Sequence, residues 1–208
     1  MKLATEASVK AALVIGDGLD IIDASIVSAL HTATQDLAGA LLHDFDAGSF
    51  VDIFHIYSTF RAGACYRATL ALRQGFVTST PVVLWADSYA GLADGEVVET
   101  TEYRVDTERG AIIIDSETNY VDRYLKVTYA AGFAANDTDI ELYEPDVVPD
   151  WLERAATLHA AGTVVLLNPD LAGGGNGGEK RDAKELKATG LRIAERHIRY
   201  FPSAIRPI

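Results

Sequence analysis

Residues 103–133, YRVDTERGAIIIDSETNYVDRYLKVTYAAGF, together with VVPDWLERAATLHAAGTVVLL at 147–167, constrain the fold more than any other part of the chain. YRVD and AIIID flank TERG, which puts Gly110 at the positive-φ position of a short hairpin. YLKVTYA (124–130) reads as a further strand and Gly132 as a turn. Pro149 opens an Ala-rich helix, because proline in a first turn has no hydrogen bond to lose. A chain that passes from strand period to helical period in this order is α+β.

The flanking segments extend the pattern. Thr5 and Glu6 open a short helix with Val9, Ala12 and Leu13 on one face, broken by GDGLD at 16–20. A longer helix over 21–43 carries Ile22, Ile26, Ala29, Leu30, Ala33, Leu37, Ala40 and Leu41 at three- and four-residue spacing, the stripe a core-facing helix needs. From residue 51 the period changes to two. VDIFHIYS and CYRATLALR read as strands joined by a hairpin loop around Gly63, and PVVLWA (81–86) as a third. Residues 87–100 read as an exposed loop, for about six strands in all. After the helix over 149–167, Asn168-Pro169 is a stop, residues 169–178 a Gly-rich tether, and 179–201 a second helix. PSAIRPI closes the chain as an extended arm, since its two prolines oppose helix. The expected architecture is thus a core over 1–168 with its β region at 51–130, a tether, and a basic helix and arm over 179–208. It is a bundle of about four helices with a small, mostly antiparallel β region.

At 208 residues such a chain buries roughly 70% of the surface its unfolded form exposes, so it needs no disulfide. The single cysteine, Cys65, allows no intrachain bridge and suits a reducing cytoplasm. No apolar run approaches the roughly 18 residues that span a bilayer. Charge is unevenly placed. Residues 179–208 hold eight basic and four acidic residues, a net +4, which leaves −16 on residues 1–178 of a chain whose total is −12. A basic end on an acidic body points either to contact with an acidic surface or to a solvated helix.

Motifs for chemistry are lacking. Gly173 and Gly178 have phosphate-loop spacing, but Glu179 stands at the lysine position, Arg181 follows Lys180, and a helix precedes instead of a strand. The run is a tether and no nucleotide cofactor is implied. His31, His43, His55, His159 and His197 form no HExxH, and only His43-Asp44-Phe45-Asp46 offers a local set of cation donors, which reads as a helix-end surface feature. Cys65 lacks a neighbouring Cys or His, and no GxSxG elbow marks a nucleophile. Neither a catalytic residue, a cofactor nor a metal is expected. Lys and Arg are too dilute on the body for direct nucleic-acid binding.

Taken in order, several strings resemble the head–tail adaptor (connector) proteins of tailed bacteriophages, of the type that docks under the portal. They are TEASVKAALVIGDGLDIIDASIVSALHTATQDLAGAL, LALRQGFVTSTPVVLW, YRVDTERGAIII, LKVTYAAGF and VPDWLERAATLHAA. The resemblance covers most of the chain. The region 51–73 and the segment 171–201 look longer than in minimal members.

That resemblance implies a non-enzymatic virion protein made in the bacterial host cytoplasm. It would sit in the neck, as a ring of probably twelve copies between the portal protein and a tail-completion, stopper or tail protein. DNA would pass through an acidic lumen without specific binding, since like charge repels phosphate. Arg192, Arg196, Arg199, Tyr200, Phe201, Ile205, Arg206 and Ile208 are the candidate partner-binding residues, the arm adding as a strand to its partner. Two other readings stay open: another neck-ring or tail-completion protein, and a small ligand-binding or hydrolytic α+β enzyme.

Overall fold

In a computed structural model of the chain, residues 1–15, 20–139, 141–144, 147–173, 182–197 and 204–208 are described. The fold is α+β, with four helices and two small antiparallel sheets, as the sequence predicts. Residues 16–19 of the expected break at GDGLD and half of the tether, 174–178, lie outside the described residues; Asp20 opens the second helix, and Pro169–Gly173 form a short 3-10 helix in the first half of the tether. The chain divides into two compact units, one of residues 1–42 and 133–198, the other of 43–132 and 199–208.

The first unit is helical. Helix α1 (Glu6–Leu13) starts where the Thr5 hydroxyl accepts a hydrogen bond from the Ser8 amide at 3.1 Å. Helix α2 (Asp20–Leu41) buries Ile26, Ala29, Leu30, Ala33, Leu37 and Leu41, six of the eight positions read from its spacing; Ala40 is half-buried and the Ile22 side chain lies outside the described residues. Helix α3 (Asp150–Leu167) buries Leu152, Ala155, Ala156, Ala160, Ala161, Val164 and Val165. Pro149 is the residue before the first turn and not in it, with extended backbone at φ −60° and ψ 138°. Its fixed φ suits that position equally well, and Asp150 and Glu153 place negative charge at the helix's positive end. Asn168 ends α3.

Helix α4 (Ala183–Glu195) is shorter than the 179–201 expected. It begins at Asp182, whose Oδ1 accepts hydrogen bonds from the amides of Lys184 (2.9 Å) and Glu185 (3.2 Å). It runs antiparallel against α3, and two glycines allow the approach. A Cβ on Gly162 would stand 2.6 Å from the Ala183 carbonyl oxygen and 2.7 Å from the Lys187 nitrogen. One on Gly190 would meet the Ala155 carbonyl oxygen at 2.6 Å and the His159 nitrogen at 2.9 Å. The helices therefore touch backbone to backbone.

Among the described residues the second unit holds eight strands. One sheet has the order β1 (Gly48–His55), β8 (Tyr124–Ala131), β4 (Val82–Ala86), β5 (Glu96–Val97). The other has the order β2 (Phe60–Ala62), β3 (Cys65–Ala71), β7 (Ala111–Ser116), β6 (Tyr103–Asp106). The hairpin expected at Gly63 joins β2 to β3, not the two longer segments, which belong to different sheets. β1 instead pairs with β8, Gly48 opposite Ala131 through His55 opposite Tyr124. The TERG hairpin is present with Gly110 at φ +63°, and Gly132 turns the chain at φ +90°. The inner faces of both sheets share one apolar cluster that includes Phe54, Leu70, Val83, Ile112, Ile114, Leu125 and Val127.

One buried charge ties this unit together. Asp52 on β1 is fully buried, and its Oδ2 accepts hydrogen bonds from the Tyr129 hydroxyl (2.9 Å) and the Arg73 amide (2.7 Å). Its Oδ1 lies 3.2 Å from Arg73 Nε, and the Tyr129 oxygen in turn accepts from the Gln74 amide at 3.1 Å. Hydrogen bonds of this number offset the desolvation of a buried carboxylate. No helix among the described residues is long and apolar enough to cross a membrane.

Two substitutions test these contacts by urea denaturation. Gly190→Ala should lower stability by about 1–3 kcal/mol, because forcing the helices apart outweighs the propensity gain of alanine. Tyr129→Phe should cost about 1–3 kcal/mol by leaving Asp52 short of a donor.

Candidate docking surfaces

Helix α4 presents two faces. Lys187, Gly190, Ala194 and His197 line the side against α3, where the His197 ring stacks on Trp151 with centroids 3.8 Å apart and planes 4° from parallel. Lys184, Glu185, Ala188, Arg192, Glu195 and Arg196 are exposed on the other. Arg192 lies in the last turn and Arg196 at its end, one helical turn apart, so both guanidinium groups project from the same outward strip. Positive charge near a helix C-terminus also interacts favourably with the helix dipole. Arg199, Tyr200 and Phe201 lie outside the described residues.

Beneath α4 is a feature that sequence reasoning passed over. His159 of α3 is fully buried, with Nε2 3.2 Å from Asp36 Oδ2 of α2 but out of line for a hydrogen bond. Lys187 Nζ of α4 shares that carboxylate oxygen at 3.4 Å. Burial pushes the His159 pKa down, the Lys187 charge adds to the effect, and Asp36 opposes it. The imidazole is therefore neutral at pH 7. In the sequence His159 belongs to no metal-ligand motif, and nothing in its spacing marks a buried imidazole.

The arm belongs to the second unit. Ile205 is buried in that unit's apolar cluster and lies parallel to Leu70 of β3. Its amide donates to the Thr69 carbonyl (2.8 Å) and its carbonyl accepts from the Ala71 amide (3.0 Å). Farther on, the Ile208 amide donates to the Ile53 carbonyl of β1 (2.9 Å), and Arg73 donates to the Ile208 carbonyl at 3.5 Å. Arg206 and Ile208 are exposed. The eight candidate residues thus fall into a pair on α4, three beyond the described residues, and three on an arm that is docked on its own unit. A partner that takes the arm must first displace it.

Other candidates for chemistry resolve into structure. Nδ1 of His43 accepts a hydrogen bond from the Gly75 amide at 2.9 Å, and the ring packs edge-on to Phe76. The Asp44 carboxylate accepts from the Asp46 amide at 3.2 Å. Among the described residues no group of three or more His, Cys, Asp or Glu side chains is placed to hold a metal ion. A cavity of about 320 Å³ is lined by Ser58, Thr59, Phe60, Arg67, Ala68, Thr69 and Ile205. The one ionisable side chain in that lining is Arg67, engaged with Asp115 at 2.9 Å. That pairing, through its hydrogen bond first, holds the Asp115 carboxyl below the usual carboxylate range.

No family model matches the chain, and no curated protein matches it. Two solved structures are similar to it over most of its length. A chain in "Neck of empty GTA particle computed with C6 symmetry" aligns with a TM-score of 0.45 and 16% identity, covering 94% of this chain and 89% of that one. A chain in "Neck of native GTA particle computed with C12 symmetry" aligns with a TM-score of 0.42 and 15% identity, covering 97% and 95%.

His159 carries a pH prediction. Its folded pKa lies below the ordinary value of 6.5, so the unfolded chain takes up the proton first as pH falls. Stability should be complete above that value and decline as pH drops from 6.5 toward the lower folded pKa. His159→Met should flatten that part of the profile, read as urea midpoint against pH.

Proposed function

We propose that the chain is a structural protein of a phage-like particle, a head–tail adaptor that forms a ring in the neck and docks against the portal protein. The ring would carry a tail-completion, stopper or tail protein on its other side. The observation that carries this reading is the outward strip of α4, where Arg192 and Arg196 stand on an otherwise acidic chain. Such a strip supplies the charge complementarity by which one copy registers against an acidic neighbour or portal surface. The strings that resemble connector proteins support it further. Their hairpin, β8, the Gly132 turn and α3 occur in the expected order. The two solved structures are of particle necks, but the reading rests on the residues and not on that distant likeness.

The same reading assigns no turnover to the chain. DNA would slide past an acidic wall, because phosphate finds few cations there to release counterions against. Arg199, Tyr200 and Phe201 are proposed as further residues of the portal contact.

Charge reversal tests it. Arg192→Glu/Arg196→Glu should melt within about 1 kcal/mol of the parent, since both side chains are exposed. Its incorporation into particles should fall on the order of tenfold or more. Normal incorporation of a folded double variant would overturn the role given to α4.

A further inference from the structure

The second unit is not finished by contiguous chain. Its sheets are complete at Gly132, the chain then builds the first unit, and the unit's last element arrives with residues 204–208. That element is short. Among the described residues it is held by three main-chain hydrogen bonds, one buried isoleucine and the Arg73 contact. It is nevertheless required, because it covers two edges. β2 pairs with β3 only at Cys65–Arg67, and Ile205 continues along the same strand by bonding to Thr69 and Ala71. Ile208 bonds to β1, the end strand of the other sheet. An empty slot would leave strand edges unpaired and a hole where Ile205 enters the core, both costly.

We propose that these two edges form a strand-exchange site whose occupant in an assembly is the 204–208 segment of a second copy of this chain. The slot reads main-chain groups plus a single isoleucine, so another copy's arm satisfies it identically by construction. Exchange of an identical element gains and loses the same contacts, which makes it a low-cost route to association. A copy whose arm is taken up by a neighbour has a vacant slot, and the next arm fills it. Head-to-tail repetition of that step closes a ring if the rotation between copies allows it, while reciprocal exchange gives a dimer. Neither sheet needs to open, because the arm lies at the edges. The inference stands on the arm's geometry and does not depend on a place in a particle neck.

The register places Ala204 beside Thr69, one step from the Leu70–Ile205 bridge. Two full-length variants, Cys65→Ser/Thr69→Cys and Cys65→Ser/Ala204→Cys, would be mixed both as folded proteins and after joint refolding from urea, then oxidised. Exchange puts the two cysteines of different chains side by side. A disulfide-linked heterodimer should then form on the order of a hundredfold faster than with a control pair in which Ala188→Cys replaces the Ala204 change, the gain expected of a millimolar local concentration. A heterodimer rate no greater than the control in both mixtures overturns exchange. A single chain carrying all three substitutions, Cys65→Ser/Thr69→Cys/Ala204→Cys, should give an interchain disulfide ladder that grows with protein concentration. Monomers closed internally at every concentration would equally overturn it. The neck reading fails separately, by absence of the chain from particles, whatever the arms do.

Discussion

The buried carboxylate of Asp52 holds the second unit in its arrangement. It sits on an edge strand, yet its partners come from two distant places: the hydroxyl of Tyr129 on β8, and the amide and guanidinium of Arg73 after β3. A buried carboxylate is costly unless it is paired and hydrogen-bonded, and here Oδ2 accepts two hydrogen bonds while Oδ1 has only its ion pair with Arg73, so these partners are held in a narrow range of positions. Through Arg73 the same centre reaches the carbonyl of Ile208. The pairing of β1 with β8, the course of the chain after β3, and the seat of the C-terminal arm are thereby coupled.

The helical unit relies on a different constraint, close approach of backbones. Gly162 and Gly190 let α4 lie on α3 with main-chain contact, and His197 stacks on Trp151 at the far end. The inward side of α4 is spent on that packing. Its outward side is left with Lys184, Arg192 and Arg196 among Glu185 and Glu195. Helix α4 therefore joins a fixed inner contact to a polar outer strip, the division a docking element needs.

Local pattern made much of this legible. The apolar stripe of α2, the TERG hairpin and the glycine turn at 132 follow from spacing and from the few residues that adopt positive φ. Partnership between distant segments was not legible. Nothing near residues 51–73 shows that β1 and β3 enter different sheets, because that choice is made by β8 and β7, which lie far along the chain. The two-residue strand β5 is too short to show a period. The described part of the arm, 204–208, pairs with strands of its own unit, and a lone isoleucine between prolines does not reveal which strand it joins. Asp52 was hidden for the same reason: a carboxylate on a strand reads as a solvent-facing residue until its donors are found.

The proposal that the chain is a stoichiometric component of a particle neck can be settled by quantitative mass spectrometry of purified particles from the cells that make it. The chain is expected in intact particles at the copy number of the portal protein. Its absence from them, with the protein abundant in the soluble lysate, would contradict the claim.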